Sequence, residues 1–314
     1  MIAAPLLILI EPLCISRLGA IARYFFAAGL VPDSDRARFD VAVTSTRRLR
    51  DSVLVEIALV ILTYGVIVGL IHHVPSEEIP GWYKSGGSGS STFSVAGWWH
   101  ALVSLPLLLI LFSGWLWRLS PWGRFLWRMS RLDLRLIAAH PDHAAGLQFV
   151  GFSLRAFSLL GFAFGTIMAG MVANRVVHEG VPLTTYTHLI LALVVCVVIL
   201  FSGPLLVFTA TLFQEKVRGT LAYGALATSQ GLQFERKWLK RSESLDESVL
   251  EVSDFSATTD LYQVVSNVYA MGVIPLDLRN LLLLILSTLL PFVPVLLMAL
   301  PFDVILQELA GLLL

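Results

Sequence analysis

The stretch AAHPDHAAGLQF, residues 138–149, places three chemically reactive side chains close together: His140, Asp142 and His143. Imidazole and carboxylate groups at such spacing occur in metal sites and in proton relays. The same residues also fit a corner between two helices, because a proline disfavours helix at the residue before it. Asp142 is then a favoured N-cap for the next helix. We expect the helix corner, and the metal site and the proton relay are the alternatives.

Two charged residues, Glu56 and Arg155, lie inside long apolar stretches of the chain. Charged side chains within a membrane span are costly and usually face a partner or water. Both residues lie about one helical turn from the same predicted end of their stretches. We expect an ion pair between Glu56 and Arg155, and the alternative is that they line a polar pathway.

Residues 121–139 carry a cationic amphipathic pattern. At the 100° per residue of a helix, four arginines share one side and apolar residues fill the other. These arginines are Arg124, Arg128, Arg131 and Arg135. The pattern predicts an interfacial helix whose arginines contact anionic lipid headgroups on the cytoplasmic face. A site for a phosphate-bearing ligand is the alternative.

Small residues and prolines in the apolar stretches indicate how the helices pack. Gly161 and Gly165 have the spacing that lets two membrane helices approach closely, and Gly170 follows on the same stretch. We expect all three glycines to serve helix packing, within the chain or between subunits. Prolines that bend spans are Pro106, Pro204, Pro291 and Pro294. Broken helices build ion and substrate sites in transporters.

Known enzyme motifs are missing from the sequence: it has no nucleophile elbow, phosphate-binding glycine loop, zinc-protease helix or dinucleotide fingerprint. The sequence therefore favours a protein that is not an enzyme and predicts no cofactor and no metal. Five histidines near the predicted outer loops leave a metal-binding or pH-sensing face as an alternative. They are His72, His73, His100, His178 and His188.

Composition places the chain in the membrane class. Of its 314 residues 56% are hydrophobic and 14% charged, whereas soluble domains carry about 25% charged residues. The net charge is zero, which gives no reason to expect nucleic acid as a partner. Five stretches approach or exceed the about 20 apolar residues of a membrane span. They cover residues 52–71, 98–117, 149–173, 186–213 and 281–300.

The distribution of arginine and lysine predicts the orientation of these spans. Basic residues are frequent in segments 1–51, 118–148 and 214–280 and rare in segments 74–97 and 174–185. Because basic loops stay in the cytoplasm, the N-terminus is expected inside and the C-terminus in the periplasm. Apolar segments 2–10 and 302–314 are too short to span a bilayer. The first is expected to be interfacial or a truncated span, which would raise the total to six.

The predicted organisation has four parts. Residues 1–51 form a cytoplasmic or interfacial segment, and residues 52–213 form a four-span core with the interfacial helix 121–139. Residues 214–280 form a cytoplasmic helical loop, and residues 281–314 form a last span with a short outer helix. The predicted fold is an all-α, multi-pass transmembrane bundle.

Several stretches together resemble an uncharacterised family of multi-pass bacterial inner-membrane proteins. They are RFDVAVTSTRRLRDSVLVE, HPDHAAGLQFVG, FERKWL and the apolar ending from residue 278. Similar sequences often read H-P-D-x-x-G-G-L, and here Ala145 replaces the first glycine. The resemblance implies a bacterial inner-membrane location and brings no activity with it.

Three functions fit the sequence. The bent spans, the glycine face and the charges within spans favour a channel or transporter that forms a homo-oligomer. The basic interfacial helix and the long loop 214–280 favour a membrane scaffold or sensor that acts through its cytoplasmic loops. An enzyme acting on lipid headgroups ranks last, since no nucleophile or metal set is recognisable.

Overall fold

The computed structural model describes residues 2–73, 94–239 and 253–299, and within these ranges the chain is helical with no strand. The predicted all-α membrane bundle is therefore confirmed. The helices are α1 (Ala3–Ala27), α2 (Arg36–Arg50), α3 (Val53–His73), α4 (Val95–Trp99), α5 (Leu105–Met129), α6 (Phe152–Glu179), α7 (Thr187–Ser202), α8 (Thr209–Trp238), α9 (Ser253–Ala270), α10 (Leu278–Leu289) and α11 (Phe292–Ala299). A π-helical turn, His100–Ser104, joins α4 to α5, and a 3₁₀ segment, Gly203–Phe208, joins α7 to α8.

Five helical segments of the described chain are long and apolar enough to cross a bilayer. They are Ala3–Ala27, Asp33–Gly69, Val95–Met129, Gln148–Glu179 and Leu183–Trp238. The helices α10 and α11 together form a sixth candidate, which bends by 44° at its break. The predicted last span is thus a broken helix, and Pro291 lies at the break because proline cannot continue the hydrogen-bond ladder.

The first helix corrects the expectation for residues 2–10. Instead of a short apolar piece, α1 has 25 residues and continues through Pro12. Leu7, Ile10 and Cys14 are buried on both sides of that proline, and the Trp115 indole N–H donates to the Leu7 carbonyl at 3.0 Å. Packing against neighbouring helices therefore compensates for the hydrogen bond that Pro12 removes, as is usual in membrane helices.

The helix α6 lies at the centre of the bundle. In its most apolar window 56% of the residues are buried, compared with 11–22% for the other four long spans. It packs against α1, α7, α10 and α11, and its Phe157 stacks on Phe201 of α7 at a centroid distance of 4.9 Å. The other spans present apolar side chains outward, as lipid contact requires.

The prediction of a separate interfacial helix over residues 121–139 is wrong. The helix α5 continues to Met129, and residues 130–147 form a chain of turns. Trp122, Phe125 and Leu126 are buried in the protein core rather than in the lipid interface. The reason is that α1 and α2 both pack against α5, so the apolar side of the pattern faces protein.

The segment predicted as a cytoplasmic helical loop contains most of α8 and all of α9, which pack against each other. The pair is called the hairpin arm below. Residues 240–252 between α8 and α9, and the short outer helix predicted within residues 302–314, lie outside the described ranges.

Candidate functional site

The HPDH stretch is a turn-rich loop built around the Asp142 carboxylate. Its Oδ1 accepts from the backbone N–H of Ala144 at 2.9 Å and of Gly146 at 3.0 Å. Its Oδ2 accepts from the Gln148 N–H at 3.1 Å. Successive backbone N–H groups of this kind form an anion-binding nest, and here the anion is a side chain of the loop itself.

The backbone of this loop adopts left-handed conformations at three positions. His143 has φ 56°, Ala145 φ 54° and Gly146 φ 93°. The Cβ of any residue other than glycine is strained in this region, which explains why glycine is suited to position 145. The bonds to Asp142 hold the loop in this conformation.

Asp142 does not form the N-cap of the following span that the sequence predicts. Helix α6 begins at Phe152 after Gly151, and no side chain caps it. Asp142 instead bonds Gln148, the first residue of the 3₁₀ turn Gln148–Gly151 that precedes α6. The carboxylate thus organises the corner itself and the entry to the span, ten residues before the helix begins.

The electrostatics of Asp142 favour the charged form. Burial acts to raise its pKa, but the three backbone N–H groups and His140 together hold the pKa below its usual value. His140 Nδ1 lies 2.8 Å from Asp142 Oδ1. A carboxylate that already accepts from three backbone donors is poorly suited to serve as a general base or as a metal ligand. Among the described residues, no group of three His, Cys, Asp or Glu side chains is arranged to hold a metal ion.

The loop also joins three distant parts of the chain. The Gly272 N–H, between α9 and α10, donates to the His143 carbonyl at 2.7 Å. The Arg135 N–H donates to the Leu30 carbonyl, between α1 and α2, at 2.8 Å. Gly219 of α8 lies against Ala138, where an added Cβ would clash. The loop therefore fixes the base of the hairpin arm to the membrane helices.

Lys216, which the sequence did not single out, adds a further contact at the base of the hairpin arm. Lys216 of α8 donates from Nζ to the carbonyl of Met271 at 2.6 Å, just after α9 ends. A cation near a helix C-terminus satisfies a free carbonyl and interacts favourably with the helix dipole. Nothing in the sequence distinguishes Lys216 from other basic residues of the segment 214–280.

The ion pair expected between Glu56 and Arg155 does not form. Both side chains are exposed, and no ion pair of the described residues joins them. The helix α3 packs against α5 rather than against α6, so Glu56 and Arg155 do not meet. The interhelical pair is instead Glu11 of α1 with Arg118 of α5, whose Oε1 and Nη2 atoms are 2.7 Å apart.

The four arginines expected to share one helix face are divided between two elements. Arg124 and Arg128 lie on α5, and Arg128 donates to the Ser45 hydroxyl of α2. Arg131 lies in the following turns over the Trp127 ring, 5.4 Å from its centroid, and Arg135 is also in these turns. A continuous arginine stripe along one helix is therefore absent from this part of the chain.

The three glycines also have different surroundings. Gly161 and Gly165 lie against α10, where an added Cβ at Gly161 would come within 2.5 Å of the Thr288 hydroxyl oxygen. At Gly165 it would collide with the Thr288 carbonyl. Gly170 has no described atom within 4 Å of such a Cβ, so the close helix approach ends before it.

Two of the outer histidines interact within their own helices. His73 and His178 each place Nδ1 near the carbonyl four residues earlier in their own helix, at 2.8 and 3.0 Å. The His72 side chain lies outside the described residues. Pro106 lies in the first turn of α5, Pro204 in the 3₁₀ segment and Pro294 within α11.

Comparisons with protein-family models, curated proteins and solved structures find no match for this chain. The resemblance to a bacterial inner-membrane family and the bacterial source that it implies stay predictions.

Proposed function

We propose that this integral membrane protein is a scaffold or sensor that acts through the hairpin arm of α8 and α9. The observation that carries the proposal is the length of the helical segment that runs through α7 and ends with α8, the first helix of the arm. The segment Leu183–Trp238 has 56 residues, roughly 84 Å of helix at 1.5 Å per residue. The hydrocarbon core of a bilayer is about 30 Å thick, so more than half of this segment projects from the membrane.

The hairpin arm has the features of an ordered element. Rings of Phe234, Trp238 and Phe255 cluster at the end of α8 and the start of α9, with centroid distances of 4.9 Å and 5.2 Å from Phe255 to the other two. Gly224 and Gly231 of α8 lie close to tyrosine hydroxyls of α9. Together with Lys216 and the HPDH loop at the base of the arm, these contacts would let the arm move as one rigid unit with the membrane helices.

The surface of the hairpin arm supports binding to a protein partner. Leu221 is 70% exposed and Leu226 is 51% exposed on a part of α8 that lies beyond the bilayer. Tyr262 and Tyr269 of α9 are also about half exposed, at 48% and 56%. Exposed apolar and aromatic side chains outside a membrane mark protein interaction surfaces.

The cytoplasm is the proposed location of the hairpin arm. The second half of α1, with Arg17 and Arg23, helix α2, the turns after Met129 and the arm all carry arginine or lysine, and basic segments stay in the cytoplasm. Anionic lipid on the cytoplasmic leaflet is then within reach of the basic residues.

A photo-crosslinking experiment tests the scaffold proposal. The crosslinking residue is introduced at Leu221 or Leu226 in cells that produce the protein naturally, and Ile57, an exposed residue of the apolar helix α3, is the control position. We expect protein adducts from the arm positions and lipid adducts from Ile57. If the arm positions give no protein adduct, the proposal is wrong.

A channel or transporter is the second candidate, and the broken helix favours it. The 44° bend between α10 and α11 lies next to the close approach of Gly165 to α10, and transporters use such breaks for substrate sites. The bundle interior is instead rich in buried phenylalanine and leucine, which speaks against a polar path within one chain. Ion or solute flux through liposomes with the purified protein, abolished by Pro291→Ala, would favour this second candidate over the first.

A further inference from the structure

A cavity of about 180 Å³ lies between α1, α2 and α5, and Phe157 of α6 also lines it. We call it the α1–α2–α5 cavity. Its apolar wall includes the buried side chains of Phe39, Leu119 and Phe125. Its volume corresponds to about six water molecules at roughly 30 Å³ each, enough for part of a larger ligand.

Four arginines line the same cavity, and two of them make neither a hydrogen bond nor an ion pair among the described residues. Arg118 pairs with Glu11 and Arg50 with Asp51, each at 2.7 Å. The other two are Arg23 and Arg47, which are both exposed. The charge of Arg47 also acts on Asp51, the partner of Arg50. Asp40 is the acidic residue that lines the cavity. The opening is therefore net positive, and the guanidinium groups of Arg23 and Arg47 suit a phosphate or carboxylate.

A buried donor without an acceptor provides an independent observation. Trp122 lines the cavity and is only 5% exposed, yet its indole N–H has no hydrogen-bond partner within the described chain. Trp115 lines the same cavity and is similarly buried, but its indole N–H donates to the Leu7 carbonyl. Buried polar groups are nearly always satisfied, so the Trp122 N–H indicates an acceptor that a bound molecule supplies.

We propose that the α1–α2–α5 cavity binds an anionic phospholipid of the surrounding bilayer. Arg23 and Arg47 hold the lipid phosphate, and the Trp122 N–H donates to an oxygen of the headgroup or ester region. The apolar wall receives the adjoining carbons of the lipid. The basic side of the bundle matches the headgroup level of the cytoplasmic leaflet, where anionic lipids attract basic residues. This site is separate from Arg124, Arg131 and Arg135, which do not line the cavity.

Native mass spectrometry of the full protein in detergent micelles tests this proposal. The probes are dioleoylphosphatidylglycerol, an anionic lipid, and dioleoylphosphatidylcholine, a zwitterionic one. We expect the wild type to retain phosphatidylglycerol preferentially. The double variant Arg23→Gln/Arg47→Gln should weaken this binding by about tenfold or more, since two charge-assisted contacts are lost. Trp122→Phe should weaken it by roughly threefold to tenfold, because one hydrogen bond is lost.

Matched variants control for loss of charge and loss of fold. Arg131→Gln/Arg135→Gln removes two exposed arginines outside the cavity and should change phosphatidylglycerol binding by less than about twofold. Arg23 and Arg47 are exposed, so their replacement should leave the melting temperature in detergent unchanged. Trp122→Phe keeps an aromatic ring in the core, and its melting temperature is measured beside its lipid binding.

Three results would overturn the proposal. The first is equal retention of the two lipids by the wild type. The second is equal loss of binding in the cavity variant and in the Arg131/Arg135 control. The third is displacement of the lipid by millimolar inorganic phosphate, which would make the site one for free phosphate. The assay does not involve the hairpin arm, so its failure and the failure of the scaffold proposal are distinguishable.

Discussion

Replacing Asp142 tests whether one carboxylate organises the corner between α5 and α6. A single N-cap contributes about 1 kcal/mol. Asp142 accepts instead from the N–H groups of Ala144, Gly146 and Gln148, and His140 lies at hydrogen-bond distance. Bonds to a charged acceptor contribute about 1.5–3 kcal/mol each, and neutral ones about 1 kcal/mol. Because water reaches part of this loop, we take about 1 kcal/mol for each backbone donor and expect Asp142→Ala to destabilise the protein by about 3 kcal/mol.

The Asn variant separates charge from hydrogen-bond geometry. Asp142→Asn keeps one oxygen for Ala144 and Gly146 and places an NH₂ group opposite the Gln148 N–H. We expect a loss of about 1–2 kcal/mol. The folded-state pKa of Asp142 lies below its ordinary value of 3.8. Its contribution is therefore complete above that ordinary value and is lost as the pH falls through the folded-state pKa. The Asn variant should lack this acid sensitivity.

The assay is unfolding by sodium dodecyl sulfate in mixed micelles, followed by circular dichroism. Asp133→Ala is the matched control, since Asp133 is an exposed acidic residue of the same turns and should change the free energy of unfolding by less than about 0.5 kcal/mol. If Asp142→Ala is as stable as Asp133→Ala, the carboxylate does not hold the loop and the reasoning fails.

Three further changes probe the packing of the bundle. Gly165→Ala should lower the unfolding free energy by more than about 2 kcal/mol, because the added Cβ would collide with the Thr288 carbonyl. An added Cβ at Gly170 meets no described atom, so Gly170→Ala should be neutral or stabilising by up to about 1 kcal/mol. Equal effects of the two variants in a thermal unfolding assay would contradict this. Glu11→Gln and Arg118→Gln should show a coupling energy of about 1 kcal/mol in a double-mutant cycle; a coupling near zero would mean that the pair is not formed. Ala145→Gly should be neutral or stabilise by up to about 1 kcal/mol, because glycine accepts the positive φ of this position without strain. Valine there should destabilise by more than about 2 kcal/mol, and a tolerated valine would argue against the left-handed backbone.

The class of fold was predictable from residue patterns because a bilayer makes them stringent. Long apolar stretches with few charges must become helices, since lipid supplies no partners for a free backbone. The stretches 52–71, 98–117, 149–173 and 186–213 accordingly lie within long helices of the structure. The sequence did not predict the full length of α1, because Glu11 and Pro12 interrupt its apolar run. Only the contacts of α1 with α5, through Leu7 and Glu11, show that the helix continues.

The roles of individual polar residues were decided by the tertiary structure. Glu56 and Arg155 have matching depth in the sequence, but an ion pair also requires adjacent helices in the right rotation, and α3 lies beside α5 instead. The sequence suggests the same packing role for Gly161, Gly165 and Gly170. In the structure, α10 lies close to the first two glycines and not to the third. The sequence shows an aspartate at position 142 but not its hydrogen-bond partners. The three N–H groups around its carboxylate depend on left-handed turns that no local pattern specifies. The sequence alone thus determined the long apolar helices apart from α1, since solvation acts on each segment separately. Which side chains meet was decided by helix adjacency and rotation, which arise from the packing of the whole chain.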